Sequence, residues 1–231
     1  LGPDGGVHVT GSSSGPTGYP DFTTVKYNTQ GTELWVRRYA DPENRSRTAT
    51  AIAVDAAGGV YVAGSSPGPG PGPRPGTGAA LVKYDSNGKE LWARREFQSA
   101  AGSYMTDAAL AVDLALDPAE NAILSAISHD PATEFNAAVA KYDSAGQLLW
   151  SSEYDGPAHR SDAPSGVVVA SAGNIHLAVT SVGEGTGADF AAVKLAPGGQ
   201  RLWDARHDGP GISSDHAMRM ALDAQENIVA A

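Results

Sequence analysis

The sequence predicts an all-β protein, a β-propeller of four-stranded antiparallel blades with about four repeats of ~53 residues visible. Three observations support this prediction. One motif recurs four times along the chain, each repeat holds four short strand patterns, and no segment shows a convincing amphipathic helix. The 28 glycines and 15 prolines among 231 residues fit many short strands joined by turns better than long helices.

The recurring motif is a Lys, a Gly five residues later, and Leu-Trp at positions eight and nine. It accounts for all four tryptophans, which are 57, 58 and 53 residues apart, so a period of 53 with two insertions explains the spacing. The insertions are the loop Ser65–Gly78 and a stretch between Asp107 and Asn121. The copies are Lys26/Gly31/Leu34-Trp35, Lys83/Gly88/Leu91-Trp92, Lys141/Gly146/Leu149-Trp150 and Lys194/Gly199/Leu202-Trp203.

A second recurring stretch, a Gly or Asn followed by an apolar strand, sets the boundaries of the repeats. It predicts one partial propeller over residues 1–231, with repeats at 6–58, 59–120, 121–173 and 174–226 and the start of a fifth at 227–231. Because the chain opens inside a repeat and with Leu1, we expect an excerpt of a longer propeller of up to eight blades. Closure by pairing strands from the two termini is the alternative.

The first repeat illustrates the elements. Its predicted strands are Val7–Thr10, Phe22–Tyr27, Glu33–Tyr39 and Ala49–Asp55, joined by a loop at Gly11–Pro16, a tight turn at Asn28–Gly31, a loop from Asp41 and a turn at Ala56–Gly59.

The side-chain pattern also predicts how the strands pack. Leu34 and Trp35 are adjacent in a strand and therefore point to opposite faces. The tryptophans are predicted to be buried and the lysines to be outside, so Trp92→Ala should lower the melting temperature far more than Lys83→Ala.

Composition excludes several partners. The net charge of −10 and a pI near 4.9 argue against nucleic acid and anionic membranes, which require a basic surface. Without cysteine there is no disulfide or thiolate metal site, no run approaches the ~20 apolar residues of a membrane span, and no signal peptide is visible.

The stretches Gly6–Ser12, Val25–Trp35 and Ala49–Asp55 and their later copies together resemble the bacterial β-propeller repeat family called SBBP. Ala170, Leu195 and Ala196 depart from its pattern. The resemblance implies a propeller in large exported or surface-attached bacterial proteins, and it implies no catalytic residue. The Gly-x-x-Leu-Trp pattern is also similar to the tryptophan-docking motif of quinoprotein dehydrogenases, in which the Trp joins neighbouring blades. The absence of cysteine disfavours that activity.

The residues that could bear chemistry are few. Asp85–Gly88 has oxygen ligands but lacks the spacing of a calcium loop, so a hairpin turn is favoured. His207, Asp208, Asp215 and His216 would form a metal site only if their loop made them converge. His8 and His176 occupy the position of Tyr61 and Ile123, which indicates core or blade-surface residues. We therefore assign no catalytic, cofactor-binding or metal-binding residue and no cofactor.

Two hypotheses of function follow. The favoured one is a non-catalytic binding or scaffold domain of an exported or cell-surface bacterial protein, extracellular or periplasmic. It would bind an unknown protein or carbohydrate on the face formed by variable loops, especially Ser65–Gly78 and Ala158–Ser165, with no nucleic acid and no membrane insertion. The alternative is a propeller enzyme, or the accessory ring of one, such as a quinoprotein-like dehydrogenase or a lyase.

Overall fold

The computed structural model describes residues 1–15, 18–40, 45–67, 77–97, 111–130, 132–209, 214–216 and 219–230. These residues contain 17 β-strands and no helix. Two compact units, Leu1–Leu114 and Ala115–Ala231, divide the chain. The strands are β1 Val7–Ser14, β2 Pro20–Tyr27, β3 Glu33–Tyr39, β4 Thr48–Val54, β5 Val60–Pro67, β6 Thr77–Tyr84, β7 Glu90–Glu96, β8 Ala111–Leu116, β9 Ala122–Asp130, β10 Glu134–Tyr142, β11 Leu148–Tyr154, β12 Asp162–Val169, β13 Ile175–Gly183, β14 Gly187–Leu195, β15 Arg201–His207, β16 Met220–Leu222 and β17 Ile228–Ala230.

The strands pair with their neighbours in sequence and form antiparallel sheets. Three sheets have four strands, in the orders β4-β5-β6-β7, β8-β9-β10-β11 and β12-β13-β14-β15, while β1-β2-β3 and β16-β17 form smaller sheets. This meander of four-stranded sheets confirms the predicted all-β fold of propeller blades. The sheets are offset from the sequence repeats by one strand, because the last strand of each repeat begins the next sheet.

The motif has the same register in every complete copy. Each Lys lies opposite the Trp of the next strand, as in Lys26–Trp35 and Lys194–Trp203, and the register shifts immediately afterwards. The pairing passes from Lys26–Trp35 to Tyr27–Glu33, which leaves Leu34 as the extra residue of a β-bulge. Leu34 is 53% exposed and Trp35 8%, so the predicted opposition of their side chains is confirmed.

The glycine of the motif closes the turn between the second and third strands of the copy. Gly88 has φ of 79°, and its amide donates to the Asp85 carbonyl oxygen over 2.9 Å. The Asp85 carboxylate accepts hydrogen bonds from the amides of Asn87 and Lys89, both at 2.9 Å. The segment Asp85–Gly88 is therefore a hairpin turn, stabilised by a side chain that imitates a turn of backbone.

Two turns of this kind also receive a tryptophan from the preceding sheet. In the first unit the Trp35 indole donates from Nε1 to the Ser86 carbonyl oxygen over 3.2 Å, and Arg37 donates from Nε to the Gly88 carbonyl oxygen over 2.6 Å. In the second unit Trp150 Nε1 donates to the Pro197 carbonyl oxygen over 3.1 Å. Trp35 and Trp150 therefore each join their own sheet to the next one through its hairpin turn.

The glycine is required at these turns for a second reason. A Cβ built on Gly88 would lie 2.8 Å from the Trp35 ring, and one built on Gly199 would lie 2.7 Å from the Trp150 ring. At Gly31, which has the same backbone conformation with φ of 80°, nothing lies within 4 Å of that position.

We therefore expect Gly88→Ala to destabilise the protein by about 1–2 kcal/mol more than Gly31→Ala. Both substitutions carry the left-handed backbone penalty, of ~1–2 kcal/mol, but only the first forces an indole ring out of contact. Chemical denaturation of the two variants measures the difference. Equal losses of stability would show that the indole does not lie against the Gly88 turn.

The core lies between sheets, where the strand that carries the motif Lys is apolar on both faces. Ala79, Ala80, Leu81 and Val82 of β6 are all at most 1% exposed, as the sequence predicts for a covered strand. In the first unit the cluster around Phe22, Trp35 and Tyr84 packs one face. In the second unit a cluster including Ile123, Tyr154, Leu177 and Val193 fills the same place.

Three details correct the sequence predictions. The segment Gly11–Ser14 belongs to β1 and pairs with β2, although it was predicted as loop. Ser65–Pro67 and Thr77–Gly78 pair as ladder residues, so only 68–76 of the predicted loop lies between strands, outside the described residues. The end of the second predicted binding loop, Asp162–Ser165, is the start of β12. The start of the loop predicted from Asp41, residues 41–44, and residues 107–110 of the second insertion lie outside the described residues.

Two burial predictions also fail. Trp203 is 41% exposed, whereas Trp35 and Trp92 are buried, because no turn in the described residues covers it. The lysines were predicted to be outside, but Lys26, Lys83 and Lys141 are 5–7% exposed. The long aliphatic part of Lys tolerates burial when the ammonium group meets a carboxylate.

Candidate functional sites

A row of three side chains crosses each sheet at the position of the motif Lys. The row consists of a side chain from the strand before the Lys, the Lys itself, and the Trp of the strand after it. The register pairs place the three side by side across the sheet. The first member contacts the Trp ring in three sheets, with ring centroids 5.9 to 6.4 Å apart in His8–Trp35, Tyr61–Trp92 and His176–Trp203. His176 is 2% exposed and His8 half-buried, so both histidines are structural members of this row.

The buried Lys of the row forms an ion pair at the end of the sheet that carries the tight turns. Lys83 Nζ lies 3.3 Å from Asp55 Oδ2, and Lys141 Nζ lies 2.7 Å from Asp117 Oδ2. Lys83 also donates to the Tyr61 hydroxyl over 2.6 Å. The aspartates follow the first strand of each sheet and accept from the amides that close its turn, Gly59 and Asn121. The ion pair therefore connects the two tight turns of one sheet.

Burial and pairing act in opposite directions on these groups. Burial by itself would raise the pKa of Asp117, but the hydrogen bonds from Lys141 and Asn121 outweigh it and hold the pKa below its ordinary value. Burial would lower the pKa of Lys83, yet the Tyr61 hydroxyl and Asp55 raise it. Asp117 and Lys83 are thus each held in the charged form at neutral pH, which suits a member of a structural ion pair.

The sheet β12–β15 departs from this arrangement. Ala170 stands where Asp55 and Asp117 supply the carboxylate, although its amide still closes the same turn. Glu226 interacts electrostatically with Lys194 and His176, and its carboxylate accepts from the Ser171 amide over 2.7 Å. A Glu from the hairpin β16–β17 therefore places negative charge near this row.

The opposite end of each sheet carries connections of different lengths. Two of them share a pattern, Asp-Gly-Pro with a second Asp seven residues after the first. The Asp162 carboxylate accepts from the Gly156 amide over 2.7 Å, and the Asp215 carboxylate accepts from the Gly209 amide over 2.8 Å. Asp162 is 1% exposed, and its burial raises its pKa above the ordinary value. The second Asp therefore shapes the loop in both copies.

Three carboxylates converge in the later copy. One oxygen from each of Asp189, Asp208 and Asp215 lies within 4.8 Å of the others. Arg206 is already paired with Asp189, Nη2 to Oδ2 at 2.8 Å, and neutralises part of the group. Burial would raise the pKa of Asp189, but the hydrogen bonds from Arg206 and Thr186 hold it below its ordinary value.

The structure thus supports only part of the four-residue set that the sequence singled out. Asp208 and Asp215 come together and Asp189 joins them, while His207 and His216 are exposed and are not part of the group. Sequence reasoning missed Asp189 and Arg206, which lie on β14 and β15. The positions of these two residues along their strands form no motif that could have identified them.

In the earlier copy of the Asp-Gly-Pro pattern the His159 side chain is 73% exposed, and its Nδ1 lies 2.6 Å from Asp155 Oδ2. The Asp155 hydrogen bond raises its pKa, whereas burial lowers the pKa of His8 and His176. We expect NMR titration to give His159 a pKa above, and His8 and His176 pKa values below, that of a free histidine.

Asp155→Asn should return the pKa of His159 toward its ordinary value of about 6.5 and leave His8 unchanged. Because the folded pKa of His159 is raised, the stabilisation from this pair is complete below about pH 6.5 and is lost as the pH rises through the folded value. A His159 pKa that is the same in the unmodified protein and in Asp155→Asn would contradict the contact.

No protein-family model matches the chain, and no curated protein matches it in sequence. Among solved structures it is similar to a eukaryotic initiation factor, with a TM-score of 0.42 and 10% identity over 90% of this chain and 54% of the other. The chain therefore spans about half the length of that protein. It is also similar to a provisionally assigned gluconolactonase, with a TM-score of 0.40 and 12% identity over 100% of this chain and 90% of the other. Both TM-scores are below 0.5, so the description of the fold rests on the sheets themselves.

The sheets and their connections define the chain as an all-β protein built of β-propeller blades. Within the described residues there is no helix of the length and apolar character needed to cross a membrane.

Proposed function

We propose that this chain is a non-catalytic binding or scaffold module of an exported or cell-surface bacterial protein. The observation that supports this proposal most is that the repeated lysines and tryptophans are engaged in contacts within the framework. Lys83 and Lys141 are held by Asp55 and Asp117, and the tryptophans Trp35 and Trp150 join one sheet to the next turn. Residues repeated in every blade in this way serve construction, and a module of this kind acts through what its loops present.

The two ends of each sheet differ in a way that supports a binding role. One end has only tight turns of repeated geometry, such as Asp55–Gly59 and Asp85–Lys89. The other end has connections that vary from three residues, 184–186, to fourteen, 97–110. Because turns hold the framework and loops tolerate change, a partner is best accommodated at the loop end.

The loop end also carries exposed polar groups suited to a protein or carbohydrate partner. His159 and Asp155 form an exposed pair. Ser161, two residues after His159, donates to the Glu134 carboxylate over 2.7 Å. Asp208 adds an exposed carboxylate. The net charge of −10 disfavours nucleic acid as the partner.

The test is a binding screen of the 231-residue protein against arrays of glycans and bacterial surface proteins. We expect a ligand of the second unit whose binding falls at least tenfold when Asp155 and His159 are both replaced by Ala. A ligand of the first unit should instead be lost when residues 68–76 are shortened. The matched control is Lys89→Ala at the turn end, which should bind normally. A ligand lost equally with Lys89→Ala would contradict a loop-end site.

The enzyme alternative is tested on the same protein. Turnover of a substrate, or thermal stabilisation by a cofactor that is lost in Asp208→Asn, would overturn the non-catalytic proposal. Asp208 is the exposed member of the carboxylate group, so its replacement leaves the Arg206–Asp189 pair intact.

A further inference from the structure

The group formed by Asp189, Asp208 and Asp215 carries more negative charge than its side-chain contacts compensate. One carboxylate oxygen of each residue lies within 4.8 Å of the other two. Among the described residues the group forms one ion pair with Lys or Arg, that between Asp189 and Arg206. Three carboxylates and one guanidinium leave two negative charges close together, which is the charge that one divalent cation compensates.

A second observation concerns Asp189 by itself. The residue is 3% exposed, and its Oδ2 accepts from Arg206 and from Thr186, both at 2.8 Å. The other oxygen, Oδ1, is buried and accepts no hydrogen bond within the described residues. A buried carboxylate oxygen without a partner is costly, because burial removes the water that would otherwise solvate it. A cation held among the three carboxylates supplies that partner.

The framework around this group recurs in the first sheet, where its charges can be compared. Arg38 donates to the carbonyl oxygen and the hydroxyl of Ser13, as Arg206 does to those of Ser181. An aspartate lies opposite each of these serines on the neighbouring strand. The first sheet and the sheet β12–β15 therefore share the aspartate, the serine and the arginine.

The two frameworks differ in the loop that follows the third strand of the motif. The Arg47 amide donates to the Pro20 carbonyl oxygen over 2.8 Å, and the Asp215 amide donates to the Ala188 carbonyl oxygen over 2.6 Å, so Arg47 and Asp215 occupy corresponding places. Arg47 is 1% exposed. The first sheet thus has a second buried guanidinium where the later one has a carboxylate. The positive charge that a side chain brings in one copy has to come from outside the chain in the other.

The donor atoms of the group select the kind of cation. All three are carboxylate oxygens, which bind Ca²⁺ and Mg²⁺, whereas the exposed His207 and His216 are not part of the group. Opposite ligands of one Ca²⁺ lie up to about 5 Å apart, because each Ca–O distance is about 2.3–2.6 Å, while those of Mg²⁺ lie at most about 4.2 Å apart. Oxygens that lie within 4.8 Å of one another are therefore suited to Ca²⁺.

We propose that Asp189, Asp208 and Asp215 bind one Ca²⁺ ion, which joins β14 to the loop after β15. The protein already orients two of the ligands, since Arg206 and Thr186 fix Asp189 and the Gly209 amide fixes Asp215. Because Arg206 neutralises one carboxylate, we expect a Kd on the order of 10⁻⁴–10⁻³ M, the range of extracellular modules. The ion is structural, so stabilisation by Ca²⁺ without turnover leaves the proposed non-catalytic function unchanged.

Isothermal titration of CaCl₂ into the 231-residue protein, after treatment with EDTA and dialysis, tests the proposal. We expect one Ca²⁺ per chain, and we expect Asp208→Asn and Asp215→Asn each to weaken binding at least about tenfold. Asn at position 215 keeps an oxygen acceptor for the Gly209 amide. The matched control is Glu184→Gln, which removes an exposed negative charge from the loop 184–186 at the same end of the sheet and should bind Ca²⁺ like the unmodified protein.

An NMR titration with Ca²⁺ locates the ion independently of stability. The Gly209 amide, which donates to Asp215 Oδ2, should shift, whereas the Gly156 amide, which donates to Asp162 Oδ2 in the earlier loop, should not. Asp215→Arg gives this loop the charge that Arg47 brings to the first sheet. This variant should keep its strands by circular dichroism and give no heat of Ca²⁺ binding.

Three results would overturn the site. The first is the absence of any heat and of any Gly209 shift up to 10 mM Ca²⁺, about tenfold above the weakest affinity expected. The second is equal weakening by Glu184→Gln and Asp215→Asn, which would mean that the acidic surface attracts Ca²⁺ without a defined site. The third is unchanged Ca²⁺ binding in folded Asp215→Arg.

Discussion

Trp35→Ala will lower the free energy of unfolding by about 3–5 kcal/mol, whereas Trp203→Ala will lower it by less than about 1 kcal/mol. The two residues occupy the same position of the same motif, opposite a Lys on the neighbouring strand. Trp35 is 8% exposed and donates to the next turn, while Trp203 is 41% exposed. The difference therefore measures the docking contact, with the sequence environment held nearly constant.

Urea denaturation measures both values. Trp35→Phe is a useful intermediate, since it keeps an aromatic ring and removes the Nε1 donor to Ser86. Similar losses for Trp35→Ala and Trp203→Ala would contradict the role of the turn.

Lys141→Ala is expected to cost about 3–5 kcal/mol at pH 7 and Lys194→Ala less than about 1 kcal/mol. Removing Lys141 leaves the Asp117 carboxylate, 5% exposed, without its counter-ion. Lys194 has Ala170 in place of that aspartate, so its removal strands no buried carboxylate. Lys141→Met removes the charge but keeps a long side chain. It should destabilise the protein much less than Lys141→Ala only if packing, and not charge, accounts for most of the lost stability.

The same pair predicts a pH dependence. The pKa of Asp117 is lowered in the folded state, so its contribution to stability is present above its unfolded pKa of about 4 and is lost as the pH falls through the folded value. The stability difference between the unmodified protein and Lys141→Ala should therefore shrink below about pH 4. A difference that is constant from pH 7 to pH 3 would show that the ion pair is not what Lys141 contributes.

Much of this architecture was predictable because its chemistry lies in short stretches. The spacing of Lys, Gly and Trp identified the hairpin, and Leu34 beside Trp35 identified its two faces. The third strand Glu33–Tyr39 was predicted with the bounds that the structure has. Such features are set by the alternation of a strand and by the backbone conformation that only glycine adopts readily.

The burial of the lysines was not predicted, because each partner aspartate lies in another part of the sequence. Lys83 and Asp55 are 28 positions apart and meet only when the sheet forms. A signal was present, since an Asp closes the first strand of the sheet at Asp55, Asp117 and Asp223 but not at Ala170. The convergence of Asp189 with Asp208 and Asp215 had no comparable signal, because it depends on the path of a loop.

The central claim, that the tryptophan of one sheet is seated on the glycine turn of the next, is tested most directly by a double-mutant cycle between Trp35→Ala and Gly88→Ala. If the indole occupies the space above Gly88, the added methyl group clashes only while the indole is present. We predict that Gly88→Ala costs at least about 1 kcal/mol less in the Trp35→Ala background than in the unmodified protein. Strictly additive effects would contradict the contact between the tryptophan and the turn.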